Sequence, residues 1–175
     1  MNDAAPTPSA WDQARLAAAL LAVDPGLGGA CVIAGAGPAR QAWLDLLRNL
    51  INEDMPWRRI PASINDEALL GGIDLAATLK TGRAVRRAGL LEALKGGVGV
   101  MAMAERAQAG LAARIAAAMD GADPPMLIAL DESADPDEAV PGALTERLAF
   151  QIDLSGVALA ELDRAGALDV DIDPE

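Results

Sequence analysis

Short, wholly apolar runs alternate along this chain with stretches of helical period. "GACVIAG" from Gly29, "VGVMAMAE" from Val98 to Glu105 and "MLIALD" from Met126 to Asp131 carry too few polar positions to leave one face in water. They read as strands buried on both sides. "FQIDLS" from Phe150 is the fourth strand. "WRRIPAS" is a shorter strand whose Pro61 puts it near an edge or an end. Between the strands, "SAWDQARLAAALLAVDP" offers Ser9 as an N-cap, a helix over about Ala10 to Val23 and a stop at Asp24 and Pro25. "ARQAWLDLLRNLI" brings Trp43, Leu46, Leu47 and Leu50 to one helical face. "DEALLGGIDLAATLKTG" gives a helical turn, a break at Gly71 and Gly72, and a second helix closed by Gly82. "RAVRRAG" is then an extended excursion, and "LLEALKGG" a helix that stops at Gly96. "AQAGLAARIAAAMDGAD" and "PGALTERLA", the latter with Pro141 near its start, complete the helices. Strands separated by helices imply right-handed βαβ units, so the fold class is α/β with a mostly parallel sheet covered on both faces. The expected division is an N-terminal tail and helix over 1–24, the α/β core over 25–155 and an acidic tail over 156–175.

Composition narrows the function. The 175 residues are 52% hydrophobic but only 2% aromatic, so the core is built from Ala, Leu, Ile, Val and Met. With 26 acidic against 14 basic side chains the net charge is -12, which repels nucleic acid and anionic membrane surfaces. The apolar stretch Leu16 to Val23 falls far short of the roughly 20 residues of a membrane span. "MNDAAPTPSAW" carries no secretory pattern, so a cytoplasmic location is expected. The absence of His removes the usual general base and metal ligand, leaving carboxylates, Arg and Lys for any chemistry. Cys31, within "ACVIA", is expected to be buried and inert.

Gly28 to Leu50 has the order of a phosphate-binding P-loop: strand, glycine turn, helix. In the pattern G-x-x-x-x-G-K-[ST], counted from Gly35, the second glycine falls on Arg40, the lysine on Gln41 and the hydroxyl residue on Ala42. The frame is kept and the phosphate-holding residues are gone. ATP hydrolysis also needs an acidic pair ending a later strand. The end of "VGVM" reads Ala102 and Met103, with Glu105 expected to be a solvated residue opening the next helix. Asp131 and Glu132, in "ALDESADPDE", read as a solvated acidic loop without the spacing of a calcium loop. Arg147 lies on the helix leading to the last strand, where an arginine can reach a neighbouring subunit. Its i−4 neighbour, Ala143, offers no ion pair, which favours that use. Arg83, Arg86 and Arg87 read as the only basic cluster and are the candidates for binding a partner.

"LLGGIDLAATLKTGRAVRRAGLLEALKGGVGVMAMAERA" and "LIALDESADPDEAVPGALTERLAFQIDLS" closely resemble the magnesium-chelatase D-subunit family in its N-terminal AAA+ domain, over roughly Gly28 to Ser155. The resemblance implies a three-layer P-loop-type AAA+ domain with a mostly parallel five-stranded sheet and a helical or hairpin insertion. The ATP-hydrolysing I subunit of such enzymes carries a full P-loop, a "VDE" strand end, an "MNP" sensor and an "LLDRF" arginine. Here Gln41 and Ala42 stand for the phosphate-binding pair, Ala102 and Met103 for the acidic pair and Glu132 at the sensor position, while Arg147 keeps the arginine. The family works as a ring complex of D and I subunits with a porphyrin-binding H subunit, using ATP to insert Mg²⁺ into protoporphyrin IX in (bacterio)chlorophyll synthesis. The resemblance further implies a lid, an acidic linker and an integrin-like domain beyond these 175 residues. The expected role is a non-hydrolysing platform with no catalytic residue, no metal ligand and no cofactor of its own. The alternative is a divergent working ATPase that uses Arg40 for the lysine and Glu105 or Asp131 for the acidic pair.

Overall fold

The structure is a computed structural model that describes residues 8–135 and 137–164. Its main sheet has five strands, all paired in parallel: β1 (Gly29–Ile33), β2 (Trp57–Arg59), β5 (Val98–Met101), β6 (Met126–Asp131) and β7 (Phe150–Asp153), in the order β2-β5-β6-β1-β7. The helices are α1 (Ala10–Val23), α2 (Pro38–Leu50), α3 (Asp66–Leu70), α4 (Leu75–Thr81), α5 (Leu90–Ala93), α6 (Ala109–Met119), α7 (Gly142–Thr145) and α8 (Leu159–Arg164). A separate antiparallel pair, β3 (Gly71–Ile73) with β4 (Arg86–Ala88), brackets α4 and forms the hairpin insertion.

Period-two alternation explains why β1, β5 and β6 had to be apolar almost throughout, whereas the edge strands β2 and β7 carry exposed polar positions. Ala30, Val32, Val98, Val100, Ile128 and Leu130 point to one core with α1 and α2, whereas Cys31, Met101, Leu127 and Ala129 point to a second core with α6 and α7. Helix, sheet and helix thus make three layers. α1 begins with a capping box between Ser9 and Asp12. Its small Ala14, Ala17 and Ala18 let α2 approach closely, and the fully buried Trp43 donates its indole N–H to the Ala14 carbonyl at 2.7 Å. α1 therefore packs into the core, as does Leu162 of α8. Residues 1–7 and 165–175, which hold part of the expected N-terminal tail and most of the acidic one, lie outside the described residues.

Local differences from expectation have local causes. The Gly71–Gly72 break is itself a strand, because it pairs with Ala88 and Arg87 across the hairpin. Gly89 follows that pair so closely that a Cβ there would overlap the backbone of Leu69, Leu70 and Gly71. Leu50, expected on the buried face of α2, is 40% exposed, since the helix ends there and only Trp43 and Leu47 are buried. Helix α7 is one turn, and Arg147 stands beyond its C-cap, Glu146. Cys31 is buried as expected, and burial pushes its thiol up to about 11.

Candidate functional site

The carboxyl ends of β1, β5 and β6 bring the degenerate nucleotide positions together, as open α/β sheets do with their sites. The segment after β1 runs from Ala34 through Gly35 to the N-cap Gly37, with Pro38 opening α2. Ala34 N–H donates to the Asp131 carbonyl at 3.0 Å, which ties the turn to the end of β6. One turn into α2, Arg40 folds back over the turn. Its Nη1 lies 2.8 Å from Glu132 Oε1 and 3.4 Å from the Ala34 carbonyl oxygen, and the two side chains retain only 16% and 23% exposure. The residues expected at the second glycine position and at the sensor position thus form an ion pair across the turn.

A second carboxylate backs that pair. β5 stops at Met101, and Met103 adopts a left-handed backbone (φ 52°) that turns the chain into a 3-10 turn, Ala104–Arg106. The turn aims Glu105 back toward β6, where Oε2 accepts the Glu132 N–H at 3.1 Å. Its side chain is 1% exposed, and Oε1 is buried without a hydrogen bond, 3.6 Å from Arg106 Nε. Glu105 is therefore not the solvated helix opener expected from sequence, and Glu132 is not part of a solvated loop. Left-handed backbone at a non-glycine residue is rare, and no pattern in "VMAMAER" announced it. Asp131, by contrast, accepts the Ser133 N–H at 3.0 Å and closes a local turn.

These groups do not fit a Mg·nucleotide. Gln41 Nε2 donates to Asp45 Oδ1 at 2.9 Å along α2 and points away from the turn; Ala42 has no oxygen to offer a cation. Ala102 and Met103 supply no carboxylate, and no group of three His, Cys, Asp or Glu able to hold a metal occurs among the described residues. The Arg40 guanidinium is already neutralised by Glu132.

Arg147 is at the other end of the sheet. It flanks the start of β1: a Cβ on Gly28 would collide with the Arg147 carbonyl oxygen, and Ala149 N–H donates to the Leu27 carbonyl at 3.2 Å. Strand β1 and the turn separate it from the cradle by about 15–20 Å. The ion-pair partner that the sequence neighbourhood did not offer is supplied by Asp120, at the C-cap of α6. Arg147 Nε and Nη2 meet Asp120 Oδ1 and Oδ2 at 2.8 and 2.6 Å, and Nη1 donates to the Ala143 carbonyl at 2.8 Å. This fork holds the Asp120 carboxyl below its ordinary value and the guanidinium above its own.

Arg83, Arg86 and Arg87 are all exposed on the hairpin. Arg86 and Arg87 face Ile73 and Gly72 in the β4 register, so strand alternation sends them to opposite faces. They are not the only basic cluster: Arg40, Arg48 and Arg59 line one cleft between α2 and β2. The sequence held that signal in the i, i+4, i+8 stripe Arg40–Leu44–Arg48 and in the alternation of Trp57 and Arg59, but not the fact that the two face each other.

No protein-family model matches the chain. It is 44% identical over 147 residues to the magnesium-chelatase 60 kDa subunit of Rhodobacter capsulatus, covering 83% of this chain and 26% of that protein. To the corresponding subunit of Cereibacter sphaeroides it is 43% identical over 166 residues, covering 94% and 28%. A 67 kDa magnesium-chelatase subunit of Chlorobaculum parvum is 34% identical over 87 residues, covering 50% and 14%. The chain thus spans about a quarter of the length of the curated 60 kDa relatives it matches. Among solved structures, a chain of the complex between subunits BchI and BchD of magnesium chelatase superposes with a TM-score of 0.61 at 18% identity, over 86% of this chain and 62% of that one. NtrX from Brucella abortus superposes with a TM-score of 0.59 at 14% identity, over 84% and 37%. At those identities the superpositions speak for the shared α/β fold.

Proposed function

The chain belongs to the magnesium-chelatase D-subunit family of the AAA+ chelatases, and from that premise we propose that it is a non-hydrolysing AAA+ platform that assembles with the ATPase I subunit of the enzyme. On this reading the whole complex, which includes further D subunits in a ring and a porphyrin-binding H subunit, uses ATP and Mg²⁺ to make Mg-protoporphyrin IX in the cytoplasm. No helix among the described residues is long and apolar enough to cross a membrane. The I subunit is named as partner because the superposable chain comes from a complex of BchI with BchD.

The observation that carries the reading is the Arg40–Glu132 pair. An active P-loop leaves its turn open so that phosphate can occupy it and link that turn to the acidic strand end and the sensor. Here an internal ion pair makes the same link between α2 and the end of β6. The AAA+ core can then stay in one conformation whether or not nucleotide is present, which suits a docking scaffold. Arg147 is the residue through which such a scaffold could act on a neighbour. Its distance from the chain's own cradle means that any nucleotide it meets is held by another subunit, and it must first give up Asp120. Arg83, Arg86 and Arg87 remain candidates for contact with the partner.

Labelled ATP titrated into the purified chain, with hydrolysis followed in parallel, tests the reading. Neither binding nor turnover is expected. Turnover that survives removal of contaminating ATPases and disappears in Arg40→Ala would replace the platform by a divergent ATPase.

A further inference from the structure

The cleft between α2 and β2 runs against the electrostatic character of the chain. It encloses about 460 Å³ beside the cradle. One wall is the α2 stripe Arg40, Leu44 and Arg48; the other is the side of β2 that carries Trp57 and Arg59. In a protein of net charge -12 these three guanidinium groups share the cleft with one carboxylate, Asp45, and that carboxylate already accepts a hydrogen bond from Gln41. Arg40 is committed to Glu132. Among the described residues, no carboxylate pairs with Arg48 or Arg59; the Arg48 guanidinium lies 5.7 Å over the Trp57 ring.

Trp57 strengthens the case. Trp11 and Trp43 are 5% and 0% exposed, whereas Trp57 is half-buried at the sheet edge, in a chain that is only 2% aromatic. Folding alone would favour covering that ring. Tryptophan and arginine side by side, with unpaired charge around a partly open apolar surface, are the residues that dominate protein–protein interfaces. β2 is also the edge strand of the sheet, so no further strand of the described chain covers this side.

We propose that the α2–β2 cleft is a docking site for a carboxylate-bearing segment of the partner ATPase subunit, with Arg48 and Arg59 taking the carboxylates and Trp57 an apolar side chain between them. The inference rests on the platform reading and adds to the hairpin arginines a second contact surface. Charge complementarity selects the occupant: two unpaired guanidinium groups need carboxylates, while the strongly acidic remainder of the chain repels a nucleic-acid backbone.

The test is binding of the purified I subunit to the wild-type chain and to the double variant Arg48→Glu/Arg59→Glu, with Trp57 fluorescence recorded alongside. Both arginines are exposed, so an unchanged melting curve is expected and serves as the folding control. The double variant should bind at least about tenfold more weakly, mostly through slower association with a flatter salt dependence. Arg48→Lys/Arg59→Lys should recover part of the loss. If the wild-type chain fails to bind the I subunit, the platform reading falls and this inference with it. If the wild type binds and Arg48→Glu/Arg59→Glu binds equally well, the platform stands and the cleft is not its docking surface. Inorganic pyrophosphate is the competing probe: a fluorescence change that the double variant abolishes, with I-subunit binding untouched, would assign the cleft to a phosphate ligand and overturn the proposal.

Discussion

Arg40→Ala should destabilise the domain more than Glu132→Ala, and the double variant should cost less than the two single changes combined. At the observed 2.8 Å an effective dielectric of about 20 gives roughly 6 kcal/mol of attraction before any desolvation is counted. The pair is partly buried, at 16% and 23% exposure, so desolvation offsets most of that. A coupling energy of about 1–2 kcal/mol is expected to survive. The asymmetry comes from what each variant leaves behind. Without Arg40, the Glu132 carboxylate remains beside the almost fully buried Glu105 with no counter-charge, a cost of about 2–3 kcal/mol for an uncompensated, largely buried group. Without Glu132, Arg40 can swing its guanidinium toward solvent and keep its stem in contact, at a cost of about 1 kcal/mol. In a domain of this size the first corresponds to a fall in Tm of about 4–12 °C and the second to about 2–4 °C. The assay is a urea and thermal double-mutant cycle on the 175-residue chain without nucleotide. Additivity within about 0.5 kcal/mol would refute the argument that this pair links the turn to β6. So would a milder effect of Arg40→Ala than of Glu132→Ala.

Two further outcomes follow from contacts outside the cradle. The Asp120 carboxyl is held below its unfolded value of about 3.9 by the Arg147 fork, so its contribution to stability is complete above that value and is lost as the pH falls through the lower native one. Asp120→Asn should therefore lower stability near neutrality and flatten the acid limb; an unchanged pH profile in acid denaturation would show that the fork is not maintained in solution. Gly89→Ala should loosen the β3–β4 hairpin, because its Cβ would overlap the backbone of Leu69 to Gly71. Hydrogen exchange should accelerate over residues 71–88 and stay unchanged in β1 and β6, and uniform exchange across the chain would contradict the close approach.

Much of this fold is written in local pattern. The strands around Cys31, Val100 and Ile128 are apolar at every position because both their faces are buried, so their number, their parallel pairing and the helices between them could be read without coordinates. Ser9 capping α1, Gly82 closing α4 and the departure of Gln41 and Ala42 from the P-loop pattern are equally local, each a matter of one residue type at one spacing. What the sequence could not contain is who meets whom across the sheet. Arg40 and Glu132 are separated along the chain by three strands of the main sheet and meet only because β6 lies beside β1; Arg147 finds Asp120 because α6 ends where the chain enters β7. Glu105 is turned inward by one left-handed residue, Met103, which stands between the buried Met101 and Ala104 in a conformation its residue type rarely adopts. Ion pairs of this kind have no period and no fixed spacing, since a guanidinium reaches any carboxylate that the backbone brings within a few ångströms. Local pattern set the strand, turn and helix, and only the tertiary contacts decided that an arginine and a glutamate would meet across that turn.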